Sequence, residues 1–436
     1  MKKLQKIIKD IFRYVLLFII IVILGLGLLV LTAKIPKKAI SKKIKESVSF
    51  FKENPGIDEI QKRREYTTLH HSADSITLNM IYCIDSDKPL ESVMWARYYE
   101  TIKADINNDF IAVVEKDYEP NQQYVRYWHG NMIIVRPLLL FFNIEQIYLI
   151  NSIVMWLLAI VLLVILFRKS KILAIAYIIS MVMVAFPIVT MCLEFTWTFY
   201  IMIIASIIAI LIEKKGDKSL FVLFFITGML TCYFDFLTTE IITLFVPLIF
   251  VIYIRKKDGR LNSFKDTFAL LFKVAFLWEI AYAGMWLAKW CLASIILKVD
   301  VTQYVKDNAM LRINGLQEIS SYKKMYWGDI FRNWHTLYPI NIIKRKSHLK
   351  LLVILFIGII LVSFDWKNIK KKWISGILLI ISVTPYIRYL ILANHSYRHS
   401  FFTFRDQMIT VICIVLIFAE CLNYKMLLKE IKLKKK

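Results

Sequence analysis

Apolar blocks recur along this chain, each close to the 17–25 residues, about 30 Å as a helix, that cross the hydrocarbon of a bilayer. Ten blocks fit: 13–33, 145–167, 172–190, 197–212, 219–234, 240–254, 268–297, 349–364, 374–392 and 407–424. Each predicts a membrane-spanning helix. The stretch 131–143 is also apolar, but it is short and Arg136-Pro137 interrupts it. It predicts an interfacial or re-entrant segment. The N-terminal MKKLQKIIKDIFRYVLLFIIIVILGLGLLVL has the charge order of a signal peptide. Its apolar run is too long for one, and Lys34 follows without a small-residue cleavage site, so it predicts an uncleaved first span.

The turns between blocks form two sets. MKKLQKIIKDIFR, RKSK, EKKGDK, RKKDGRLNSFK, WKNIKKKW and KMLLKEIKLKKK are basic throughout. MCLEFTW, YFDFLTTE and NHSYRHSFFTFRD alternate with them and hold only Arg398 and Arg405. The positive-inside rule puts the first set and both termini in the cytosol. The chain then divides into a first span (1–33), a large extracytoplasmic loop (34–144), a bundle (145–297), a second outer loop (298–348) and C-terminal spans with a basic tail (349–436). One conflict is KIPKKAISKKIKE, with six lysines just outside the first span. Ile35, Ile40, Ile44, Val48 and Phe51 are near helical spacing there, which predicts an amphipathic helix lying on the outer membrane surface.

Composition agrees with a membrane protein: 58% hydrophobic residues and a mean hydropathy of +0.56. The net charge of +24 would suit nucleic acid, but no helix-turn-helix, RNP or basic-aromatic stretch accompanies it. In a membrane protein such charge fixes topology and meets anionic lipid. The six cysteines are scattered without a CxxC, against a disulfide framework or a cysteine metal site. All seven histidines fall on the outer side or its boundary, so the expected chemistry is outside, away from ATP.

Candidate chemistry is therefore sought in the outer segments. Asp74 of HHSADSITLN reads either as the N-cap of a helix starting near Ser75 or as a general base beside the membrane. His129 and Arg136, within RYWHGNMIIVRP, fit an aromatic anchor belt. Glu194 and Asp235 are acids embedded in aromatics at the two shortest outer turns, either turn caps or functional groups. Lys289 is a snorkelling cation or a phosphate contact. His395, Arg398, His399 and Arg405 crowd one outer turn. His395 and His399 are spaced to share a helix face, and the set suits a lipid-linked phosphate. There is no HExxH, and zinc is a weak reading.

Together these pieces resemble the GT-C class of polytopic glycosyltransferases. YWHGNMIIVRPLLLFFNIEQIYLIN, GMLTCYFDFLTTE, AYAGMWLAKWCLAS and NHSYRHSFFTFRD also resemble segments of a family of bacterial membrane proteins. The GT-C resemblance implies an all-α membrane fold of about ten spans with a large first extracytoplasmic loop, in a bacterial plasma membrane. It implies transfer of a sugar from a polyprenyl-phosphate donor to a cell-surface glycan, polymer or protein. Asp74 takes the place of the acid in the first outer loop, as base or as a metal-linked acid, which leaves a divalent cation open as cofactor. His395, His399, Arg398, Arg405 and Lys289 would hold the donor phosphate, and loop 298–348 would close over the headgroup. A flippase or exporter of a lipid-linked glycan and a membrane O-acyltransferase are the rival readings.

Overall fold

A computed structural model describes residues 2–61, 64–101, 106–313, 315, 322–340 and 373–421. Helix α1 (Lys2–Ala33) leads into α2 (Lys37–Glu53), α3 (His71–Tyr82), α4 (Pro89–Trp95), α5 (Ile106–Lys116) and α6 (Met132–Leu138), which fold the first long loop. A two-residue strand pair, Asp58–Glu59 against Thr68–Leu69, joins them. The bundle follows as α7 (Ile144–Lys169), α8 (Lys171–Met183), α9 (Phe186–Val189), α10 (Leu193–Ile212), α11 (Asp217–Phe234), α12 (Ile242–Lys257) and α13 (Phe264–Leu297). Helices α14 (Thr302–Ile313) and α15 (Tyr322–Thr336) lie in the second long loop. The chain continues through α16 (Trp373–Ser382), α17 (Thr384–Ile391), α18 (Ala393–Arg398), α19 (Ser400–Thr403) and α20 (Met408–Cys421).

Among the described residues seven helical segments are long and apolar enough to cross a membrane: Ile8–Ala33, Ile144–Lys169, Leu193–Lys215, Asp217–Phe234, Phe264–Leu297, Trp373–Ile391 and Ser400–Cys421. Their outward faces carry bare apolar side chains, such as Phe12 at 66% exposure, Leu157 at 59% and Phe272 at 62%. Against water each Å² of that surface costs about 25 cal/mol; against hydrocarbon it costs nothing. The protein is an all-α, multi-pass membrane protein.

Of the predicted blocks among the described residues, two give no segment long enough to cross. Block 172–190 breaks after α8, where Ala185 takes a φ of 52° and Pro187 opens the short α9. Block 240–254 forms α12, which is buried from Ile242 to Arg255 on almost every side. A helix apolar all round belongs at the centre of a bundle, and α12 packs there on α10, α11, α13 and α20. Close packing also sets the α11–α13 pair: any side chain at Gly228 would meet the backbone of Trp278. Block 349–364, His348, the basic turn 367–372, the side chains of Lys323 and Lys324, and the tail after Cys421 lie outside the described residues.

Helix α2 forms over the predicted stretch, but its apolar face does not meet lipid. Ile40, Ile44, Val48 and Phe51 are buried and α2 packs on α3, α5 and α7. Two of its lysines pair with acids of the same loop, Lys37 with Asp117 and Lys52 with Glu115. The lysine excess that conflicted with the charge rule is thus partly internal to a folded loop.

The two sets of turns gather at opposite ends. At one, Lys257 donates to the Lys169 carbonyl at 2.7 Å, Lys256 pairs with Glu420 at 2.7 Å, and Arg255 and Arg260 meet the buried Glu213. At the other lie His70, His71, His129, His335, His395 and His399, among the turns poor in lysine and the loop helices.

Candidate active site

Helix α3 begins at His71, so Asp74 does not cap its own helix. Its carboxylate crosses to α10 instead. Oδ2 accepts the Leu193 N–H at 3.0 Å and Oδ1 accepts the Glu194 N–H at 3.1 Å. The Tyr148 hydroxyl donates to Oδ2 at 2.8 Å. The first N–H groups of a helix have no partner within it, and a buried anion there also meets the positive end of the helix dipole. Burial pushes the Asp74 carboxyl up to about 6, against the lowering effect of these hydrogen bonds.

The residue placed by this clamp is Glu194. Its Oε2 meets His70 Nδ1 at 2.6 Å, with side chains 12% and 18% exposed. Oε1 receives no hydrogen bond among the described residues. Burial alone would lower His70, but the Glu194 charge and hydrogen bond outweigh it, and the imidazole is held above its ordinary value. Phe401 packs edge-on against His70, with ring centroids 5.2 Å apart.

The turn 394–406 folds as α18, α19 and a 3-10 turn over Phe404–Gln407. His395 and His399 do share a face, with ring centroids 4.7 Å apart. His395 Nε2 donates to the Leu237 carbonyl at 2.8 Å, while His399 Nδ1 is buried without a partner. Both rings stay neutral: burial lowers His399 to about 4 and His395 well below its ordinary value. Arg405 is buried between Phe195 and Phe404, 4.7 Å from each ring centre. It donates to the Val184 carbonyl at 3.2 Å and the Phe401 carbonyl at 3.0 Å, and keeps Nη2 without a partner. Glu194 is near enough to act on the charge of both His399 and Arg405. His70, Glu194, His395, His399 and Arg405 therefore converge.

The other expected phosphate ligands do not join them. Arg398 is exposed. Lys289 is fully buried, donating to the Val93 and Met94 carbonyls at 3.2 and 3.0 Å over the ring of Trp128. Three further candidates hold the frame. His129 Nε2 donates to the Tyr124 carbonyl at 2.9 Å, and burial sends the ring down to about 3. Arg136 tethers the first loop through the carbonyls of Ile35, at 2.6 Å, and Ile81; burial lowers it to about 10. Asp235 accepts from the N–H and hydroxyl of Thr238, and burial with the Glu240 charge raises it to about 7. Behind the turn, Arg388 grips Glu240 through Nε at 2.9 Å and Nη2 at 3.1 Å, lies 3.4 Å from Asp406 and donates to the Leu237 carbonyl at 2.8 Å.

Two arginines that the sequence placed apart, Arg126 in the anchor belt and Arg312 in loop 298–348, come together at one cavity. A cavity of about 400 Å³ runs along α13 past Glu279, Tyr282, Trp286 and Trp290, and α14, Leu237 and Leu392 close it. From Glu279 to Trp290 the helix rises roughly 16 Å. At the Trp290 end, Arg126 lies 4.0 Å over Tyr124 and donates to the Tyr304 hydroxyl at 2.8 Å. Arg312 donates to the Asn308 carbonyl at 2.9 Å and the Tyr127 hydroxyl at 3.1 Å. Both Nε atoms are buried without a partner, and neither guanidinium forms an ion pair among the described residues. Two cations on aromatic walls, with the one carboxylate of the lining, Glu279, roughly 16 Å along the helix from Trp290, suit an anion at the arginine end. Arg312 acts on the charge of His395 and His399, so groove and histidine cluster adjoin. The available signal was an arginine beside aromatics in each of two separate outer segments.

Among the described residues no three His, Cys, Asp or Glu side chains are grouped to hold a metal ion. Comparison of the chain with family models, curated proteins and solved structures finds no match.

Proposed function

We propose that this protein is a GT-C-type glycosyltransferase of a bacterial plasma membrane, with about ten spans and both termini cytosolic. It moves a sugar from a polyprenyl-phosphate donor to a cell-surface glycan, polymer or protein on the outer face. The observation that carries this reading is the groove along α13. It joins two guanidiniums that form no ion pair among the described residues to a wall of Tyr282, Ala283, Trp286 and Leu287, with Leu287 57% exposed. A phosphate on a long apolar chain matches both ends.

Glu194 takes the proton of the acceptor hydroxyl, with His70 holding the carboxylate in place. The acceptor oxygen bonds to the anomeric carbon as the bond from that carbon to the donor phosphate breaks. The phosphate leaves with the electron pair, held by Arg126 and Arg312. Asp74, expected as base, positions Glu194 in this assignment, because both its oxygens already accept hydrogen bonds. His399 lies near enough to both Glu194 and Arg312 to feel the charge of each.

The test is titration of the purified protein in nanodiscs with a polyprenyl monophosphate. Arg126→Gln and Arg312→Gln should each weaken binding by about 1.5–3 kcal/mol, the scale of a hydrogen bond to a charged group. Unchanged binding in both folded variants would overturn the groove assignment. Binding without transfer from a labelled polyprenyl-phosphate sugar in membranes would favour the flippase.

A further inference from the structure

A second cavity, of about 320 Å³, opens at the opposite end of the bundle, among the basic turns. It is a wedge between α1, α11 and α13, all of which start at that end. The later half of α1 packs on α4 and α6. Its first half stands bare, with Ile8 and Ile11 each 57% exposed, and the wedge opens beneath it.

The wedge carries an excess of positive charge. Arg13 comes from α1, Lys218 from α11 and Lys273 from α13, against the single carboxylate of Asp10. None of the four forms an ion pair among the described residues. Lys273 lies roughly 14 Å along α13 from its first residue, deeper than a turn lysine. Beside it Phe272 and Phe276 are 62% and 54% exposed, with rings 6.1 Å apart and 12° from parallel. Unpaired cations next to bare aromatic rings suit neither water nor hydrocarbon alone. They suit a molecule with an anionic head and apolar tails.

We propose that this wedge binds an anionic phospholipid of the phosphatidylglycerol type. Arg13, Lys218 and Lys273 hold its phosphodiester, and its acyl chains lie over Phe272 and Phe276. The net charge of the wedge disfavours a zwitterionic headgroup, whose ammonium would meet three cations. This proposal is independent of the transferase reading, since none of its residues touches the groove along the outer half of α13.

The experiment is native mass spectrometry of the full-length, detergent-purified protein titrated with phosphatidylglycerol or phosphatidylcholine. The wild type should retain phosphatidylglycerol at least about tenfold more strongly. The variant combining Arg13→Gln, Lys218→Gln and Lys273→Gln should lose that preference. A control combining Lys38→Gln, Lys42→Gln and Lys45→Gln makes the same charge change on α2 and should keep it within about twofold. If the triple variant does not fold, Lys273→Gln alone should reduce the preference about threefold. Equal losses in wedge and control variants would show general charge attraction and overturn the site, as would no preference in the wild type. Displacement of the lipid by millimolar inorganic phosphate would overturn the lipid in favour of a free anion.

Discussion

Asp74→Asn and Asp74→Ala separate the two roles open to this carboxylate. Alanine removes the acceptor for the Leu193 N–H, the Glu194 N–H and the Tyr148 hydroxyl. Losing a cap costs about 1 kcal/mol, and a stranded buried donor about 1–3 kcal/mol, so Asp74→Ala should destabilise by about 2–4 kcal/mol. Asparagine keeps one acceptor oxygen and carries no charge. The native carboxyl titrates at about 6 instead of 3.8, so the native state binds its proton more tightly than the unfolded chain does. The Asp74 contribution to stability therefore falls as pH rises from 3.8 through 6, by about 3 kcal/mol in all. Against Asp74→Asn, the wild type should gain stability at pH 4.5 relative to pH 7.5, and at pH 7.5 Asp74→Asn should lie within about 1 kcal/mol of it or above. The assay is thermal unfolding in detergent at both pH values, paired with sugar transfer in membranes. An Asp74→Asn protein as unstable as Asp74→Ala at pH 7.5 would refute the clamp. A stable Asp74→Asn protein without transfer, beside an active Glu194→Gln protein, would return the base to Asp74.

Glu194→Gln should leave polyprenyl-phosphate binding intact and cut transfer by about 10²-fold or more. It should also abolish a stabilising contribution of His70 that is full below pH 6.5 and fades as pH rises through the raised native value, measurable as a lost pH slope in unfolding. Arg388→Leu leaves Glu240 and Asp406 buried without their cation. It should destabilise by about 3–5 kcal/mol, seen as loss of folded protein in fluorescence-detected size exclusion. Gly130→Ala should destabilise too, by about 1–3 kcal/mol in the same assay. A methyl there meets the ring and carbonyl of Tyr233, whose carbonyl accepts the Gly130 N–H at 2.9 Å.

What could be seen in the sequence was set by local pattern. Block length and the Lys/Arg asymmetry marked the apolar helices and the two sets of turns, because both follow from hydrocarbon thickness and chain neighbours. The i,i+4 spacing of His395 and His399 put them on one face, as the structure has them. Contacts over long separations were not legible. Asp74 lies 119 residues from Leu193 and caps its helix; Arg312 lies 185 residues from the Tyr127 hydroxyl it bonds. Helix α2 shows the same limit. Its amphipathic period was readable, but whether the apolar face met lipid or protein depended on α3, α5 and α7 being folded beside it. Block 172–190 failed for a local reason instead: Pro187 stood in plain view, two residues after the left-handed Ala185.

The cations at the histidine-bearing end sort by what they lack. Lys289 and Arg136 are buried deeply, yet both donate to two carbonyl oxygens. Such groups join segments and have little left to offer a ligand. Arg388 is matched by Glu240 and Asp406, and a buried cation with its counter-ions is a brace. Arg126 and Arg312 differ in lining a cavity while forming no ion pair among the described residues. The brace and this free pair share one residue. The Leu237 carbonyl accepts from both Arg388 and His395, the residue holds a left-handed φ of 64°, and its side chain lines the groove. A leucine in that conformation persists only where its surroundings enforce it, and the two donors on its carbonyl are the enforcing contacts. The crowded turn 394–406 thus bears on the groove through Leu237. Its histidines are kept neutral by burial, which leaves His395 a donor to that carbonyl and adds no cation beside the arginine pair.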